Sequence, residues 1–97
     1  MSEQEAVQLF RALSDPTRLA LIALLRDCPH DGGYCVNSLA ERLGVSQPAV
    51  SQHLRVLRHL GLVRSERRGY RVHYTIDRRR LRELRALADR ILTTDQG

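Results

Sequence analysis

A chain of 97 residues supports one hydrophobic core, so residues 1–97 are read as a single domain with much surface left for a partner. Its 42% apolar and 28% charged residues exclude a disordered chain, no apolar run approaches the roughly 20 residues of a membrane span, and the acidic start Met-Ser-Glu-Gln-Glu is unlike a secretory signal. The formal charge of +5 is unevenly spread, because residues 1–41 hold three arginines against six acids, residues 42–85 twelve against three, and residues 86–97 one against two, giving −3, +9 and −1.

Ala6, Val7, Leu9, Phe10 and Leu13 recur at helical spacing and predict a first helix from Glu3 to Leu13. Asp15 and Pro16 have the chemistry of an N-cap and a first helical residue, so a second helix runs from there to Arg26. Its Leu19, Ile22, Ala23, Leu24 and Leu25 surround most of the circumference and mark a core helix. Cys28 to Gly33 reads as a loop.

Ser38 and Glu41 have capping-box spacing and predict a short third helix with Leu39, Ala40 and Leu43 inside. Ser46-Gln47-Pro48 starts a fourth helix with Val50, Leu54 and Leu57 in the core, and Gly61 ends it. Only Gly44-Val45-Ser46 separates these two helices, which is the short glycine-bearing link of a helix-turn-helix. Beyond it, Leu62–Glu66 predicts a strand, Arg67-Arg68-Gly69 a turn, and Val72, Tyr74 and Ile76 alternate with Arg71, His73 and Thr75 as a second strand. Asp77 caps a last helix with an apolar stripe of Leu81, Leu84, Leu87, Ala88, Ile91 and Leu92. One small domain has no evident need for the whole of that stripe. The fold class is mainly α with a small β-hairpin, an α+β arrangement.

Phe10-Arg-Ala-Leu-Ser-Asp-Pro-Thr-Arg18, Ser46-Gln-Pro-Ala-Val-Ser-Gln-His-Leu-Arg-Val-Leu57 and Gly61-Leu-Val-Arg64 resemble, in turn, the opening signature, recognition helix and wing entry of the ArsR/SmtB family of bacterial repressors. The resemblance covers nearly the whole chain. It implies a winged helix-turn-helix, a homodimer joined through the first and last helices, and double-stranded DNA with a two-fold symmetric operator as partner. It also implies an effector, a metal ion or other signal, that changes DNA binding.

With Val50, Leu54 and Leu57 inward, the opposite side of the fourth helix presents Pro48, Ser51, Gln52, Arg55 and His59. Gln pairs with adenine, Arg with guanine and Ser with base or phosphate, and Gln47 sits at the N-terminal turn where recognition helices reach deepest. Likeness to the family points to Gln47, Ser51 and Gln52. Arg67, Arg68 and Arg71 around Gly69 would set guanidinium groups beside the backbone or minor groove. His53 falls at the edge of the buried side. Arg78, Arg79 and Arg80 oppose the macrodipole at a helix N-terminus, so something outside that helix should compensate them.

The effector site is less legible. Cys35-Val36-Asn37 holds only the first thiol of the family's Cys-x-Cys, and no His follows His73 to rebuild the family's other common site. Cys28, His30 and Cys35 bracket one loop and are candidate ligands for a divalent ion such as Zn²⁺ or Ni²⁺ as effector, with no metal needed for the fold. The same thiols could be a redox pair, or a loop thiol and a packed thiol. Few cysteines and no signal sequence suggest a cytoplasmic setting, and the resemblance implies a bacterial one. Cys28 with His30 lacks any nucleophile motif, so an enzyme is not expected; a winged helix that binds protein instead of DNA stays open as the alternative.

Overall fold

Four helices start where a side chain accepts an N–H group that the first turn leaves without a partner. The computed structural model describes residues 1–29 and 32–93. Helix α1 (Glu3–Leu13) is capped by Ser2 in a full capping box with Glu5, and α2 (Pro16–Arg26) by Asp15, whose carboxylate accepts from the Arg18 N–H at 2.9 Å. Strand β1 (Tyr34–Cys35) leads into α3 (Val36–Leu43), and Ser46 caps α4 (Gln47–His59). Strands β2 (Val63–Arg68) and β3 (Arg71–Ile76) follow, then α5 (Arg78–Leu92), capped by Asp77.

Three expectations are corrected here. The third helix is capped not by Ser38 but three residues earlier, with Cys35 at the N-cap and no side-chain cap; Ser38 Oγ instead accepts from Arg42 Nε inside the helix. The hairpin is joined by a third strand, because Tyr34 and Cys35 pair with Tyr74 and His73, giving the antiparallel order β1-β3-β2. The wing turn is Gly69-Tyr70 rather than Arg67-Arg68-Gly69, since Arg68 pairs across from Arg71 and both Arg67 and Arg68 belong to β2. Gly69 takes φ +66° and Tyr70 does not take a positive φ, as a type II′ turn requires.

The core joins Leu9 of α1, Leu21, Ile22 and Leu25 of α2, Leu39 of α3, Val50, Leu54 and Leu57 of α4, Leu62, Val63 and Ile76 at the wing base, and Leu84 of α5. Leu19, expected among these, is 53% exposed because α2 turns its Leu21–Ile22–Leu25 side inward. Gly44 closes α3 in the left-handed conformation at φ +66°, and the Val45 N–H bonds back to the Ala40 carbonyl at 3.2 Å. That tight end, followed at once by the Ser46 cap, sets α4 against α3. At Gly33 a Cβ would overlap the Tyr74 carbonyl, so only glycine lets the chain pass this close to β3 as it enters β1.

Candidate nucleic-acid interface

Val50, Leu54 and Leu57 are wholly buried, so α4 is fixed by one side. Gln47, Ser51, Gln52 and Arg55, the predicted base-reading residues, are all exposed on its remainder. A cleft of about 280 Å³ opens between this helix and the wing, lined by Ser51, Gln52, Leu54, Arg55, Arg58 and Tyr74. Arg58 Nη1 donates to Ser65 Oγ at 3.2 Å and holds helix and wing together across it. Arg58 and Tyr74 were not singled out by the sequence reading. The alternation of Val72, Tyr74 and Ile76 did carry a signal, since it places Tyr74 on the strand face that meets the core.

His59 shared the helical spacing of the exposed side but lies at the far end of α4. There it lines a separate cavity with Gln8, Arg11, Arg18 and Val56. His53 is half-buried with Nδ1 3.9 Å from Asp15 Oδ2. Asp15 is held below the usual carboxylate range first by the Arg18 backbone N–H, with His53 and the Arg18 charge adding to it.

The pleat divides the wing arginines. Successive strand residues point to opposite faces, so Val63, Ser65 and Arg67 share a face with their partners Ile76, Tyr74 and Val72, the face toward α4. Arg64, Glu66 and Arg68 share the outer face with Thr75, His73 and Arg71. The three wing candidates are thus not one cluster: Arg67 lies on the recognition-helix side, Arg68 and Arg71 on the other. Arg67 Nε donates to the Gly69 carbonyl at 3.3 Å, Arg68 reaches Glu66 at 3.3 Å, and the Arg71 guanidinium stands 5.8 Å from the ring centre of the exposed Tyr70.

Two of the three charges opening α5, Arg78 and Arg80, are compensated from outside the helix as expected, whereas Arg79 pairs within it. Arg80 pairs with Glu5 of α1 at 2.7 Å and with Glu83, Arg79 lies 3.5 Å from Glu83, and Arg78 donates to the Arg26 carbonyl at 3.1 Å. Arg80 first, then the Ser2 backbone and hydroxyl, pull the Glu5 carboxyl from 4.5 to about 2. Asp77 is also lowered, chiefly by the Arg80 N–H that it caps and then by Arg64.

Two of the metal candidates, Cys28 and Cys35, line different cavities. Cys28 lines a cavity with Leu25, Arg64 and Asp77, whereas Cys35 lines another with Asn37, Tyr70 and Val72, and the two thiols form no disulfide. His30 lies outside the described residues. Among the described residues no three His, Cys, Asp or Glu side chains are placed to hold one metal ion.

A short, glycine-closed link between two helices, a polar exposed face on the second helix and an arginine-bearing antiparallel hairpin beside it define a winged helix-turn-helix protein. The stretch 15–65, which spans α2 to mid-wing, matches the bacterial regulatory protein family arsR. An HTH-type transcriptional regulator of Methanocaldococcus jannaschii is 33% identical over 89 residues, 91% of this chain and 96% of that one. The arsenical resistance operon repressor of Escherichia coli is 41% identical over 70 residues, 72% of this chain but only 57% of its own length. An ArsR-like transcriptional regulator from Rhodococcus sp. RHA1 superposes with a TM-score of 0.76 at 33% identity, covering 91% of this chain and 79% of the other.

The chain belongs to the ArsR family. It is a DNA-binding transcriptional regulator, of a family made up of regulators and not enzymes. No described helix is long and apolar enough to cross a membrane.

Proposed function

We propose that residues 1–97 act as one unit that binds a two-fold symmetric operator as a homodimer in the bacterial cytoplasm and releases it in response to an effector. Gln47, Ser51, Gln52 and Arg55 read bases in the major groove, while Arg67, Arg68 and Arg71 meet phosphate and minor groove from the two faces of the wing. The carrying observation is that α4 buries Val50, Leu54 and Leu57 completely while leaving those four polar side chains exposed. The dimer reading rests on apolar surface that the described fold leaves uncovered at Val7 (50% exposed), Phe10 (40%), Ile91 (64%) and Leu92 (81%), all on α1 and α5. Pairing these helices would set two recognition helices about 34 Å apart.

The test separates base reading from charge attraction. Gln52→Ala should cost roughly 1–3 kcal/mol on the operator and little on random duplex. Arg68→Ala should weaken both and lower the salt slope by about one unit. Equal losses on operator and random DNA for Gln52→Ala would overturn the assignment, and a winged helix that binds only protein would show no salt-dependent DNA affinity.

For the effector we infer a thiol-binding metal or metalloid acting through Cys35. The Escherichia coli relative is named for an arsenical resistance operon, and soft ions of that kind favour thiolates. Cys35 is the N-cap of α3, so an ion bound there displaces α3 and, through Gly44-Val45-Ser46, α4. Cys35→Ser should keep DNA affinity and abolish its response to a panel including arsenite, Zn²⁺ and Ni²⁺. An unchanged response would move the sensor elsewhere.

A further inference from the structure

One guanidinium spans three elements of this fold. Arg80, on the first turn of α5 with its side chain 23% exposed, donates from Nη2 to Glu5 Oε2 of α1 at 2.7 Å and from Nη1 to Glu83 Oε2 at 3.3 Å. Its Nε donates to the carbonyl of Leu60 at 3.4 Å. Leu60 is the C-cap of α4, and the last carbonyls of a helix have no partner within it. Arg80 therefore satisfies the open end of the recognition helix with the same group that joins α1 to α5. A second bond runs beside it, from the Asp77 N–H to the Leu62 carbonyl at 2.8 Å, so the start of α5 is fastened on both sides of Gly61. Gly61 itself turns the chain at φ +79°, with Arg80 lying against it.

We propose that Arg80 is a positioning residue for operator recognition: it fixes the angle between the α1–α5 layer and α4, and so sets the half-site spacing that the dimer accepts. The inference rests on the dimeric DNA reading above. In such a dimer the separation of the recognition helices depends on how rigidly each is carried by the helices that make the interface. Ties at the two ends of α4 differ. Its N-terminal end is held through α3 by the Gly44 turn, and its C-terminal end by Arg80 and the wing. The depressed Glu5 titration agrees with a strong Arg80 contact. Lysine cannot replace this function, because three acceptors in different directions match the Nε, Nη1 and Nη2 of a planar fork and a single ammonium cannot hold all three at fixed angles.

The experiment selects a half-site with wild-type protein from random duplex DNA, then measures affinity for inverted repeats of that half-site with centre-to-centre spacings varied one base pair at a time. Wild type should favour one spacing by at least about tenfold over its neighbours, and Arg80→Lys and Glu5→Ala should flatten that preference to within about threefold while preserving the dimer and the half-site sequence preference. A merely structural role would lower the melting temperature and leave the spacing profile unchanged. Wild-type profiles in both variants would overturn the proposal. Glu5→Ala carries the test alone if Arg80→Lys fails to fold, since Glu5 is half exposed and is not a member of the core cluster. Failure of wild type to enrich any duplex would defeat the DNA reading and this inference together, whereas enrichment with unaltered variant profiles defeats this inference only.

Discussion

The helix-turn-helix and the α1–α5 layer treat their apolar residues differently. In α3 and α4 the periodic positions Leu39, Val50, Leu54 and Leu57 are all sealed inside. In α1 and α5 only Ala6, Leu9, Ala12 and Leu84 are, while Val7, Phe10, Ile91 and Leu92 stay in solvent. A helix whose apolar stripe is wider than its own core requires owes that width to something the monomer lacks. In the proposed dimer a second copy would cover the exposed residues of α1 and α5, whereas α3 and α4 seal Leu39, Val50, Leu54 and Leu57 within one chain.

That contrast is broken most directly at Leu54. Leu54→Ala should destabilise the monomer fold by about 2–5 kcal/mol in denaturant titration, because the site is wholly enclosed by other elements and relaxes little. A charge in the other half should act on association instead. Ile91→Glu combined with Phe10→Glu should raise the dimer dissociation constant by at least about tenfold, which corresponds to about 1.4 kcal/mol, with the helical circular dichroism retained. Sedimentation at several concentrations checks this, and loss of the fold in place of the dimer would show that the stripe belongs to the core.

Smaller effects sharpen the picture. Gly44→Ala should cost roughly 1–2 kcal/mol by thermal melting, from the left-handed backbone alone, since nothing lies within 4 Å of the added Cβ. The least is expected at Glu5. Its folded titration is depressed to about 2 from 4.5, so the Arg80 contact stabilises the fold above pH 4.5 and is lost as pH falls toward 2. Wild type should melt above Glu5→Gln at pH 7, and the two curves should converge through that acidic window.

Much of the fold was legible because its signals are local. Asp15, Ser46 and Asp77 cap their helices as their chemistry suggests, and the three-residue link at Gly44 needs no long-range information. The misplaced features depend on distant partners. Tyr34 and Cys35 are too short a run to show an alternation, and they become a strand only by pairing with residues 73 and 74. The start of α3 moved because the chain leaving that strand enters the helix at once, before Ser38 can serve as a cap. The exposed face of α4 followed from helical period, but Arg58 needed the wing beside it, and the Glu5–Arg80 pair spans a separation of 75 residues that no window along the chain contains. The division of the wing arginines was written in the period of two, but a turn begun two residues too early concealed it.

In a hairpin whose neighbouring residues look opposite ways, length acts as a switch. Deleting one residue of β2 between Val63 and Arg67 would turn Arg67 outward and bring Arg68 toward α4, exchanging their neighbours without altering a single basic side chain. Removing two would restore the sides and draw the guanidinium groups back by about 7 Å. Odd changes in length swap faces and even ones change reach. If the wing meets DNA as proposed, loss or gain of one codon would present a different guanidinium to the operator flank, a step that amino-acid replacement could match only through several concerted changes.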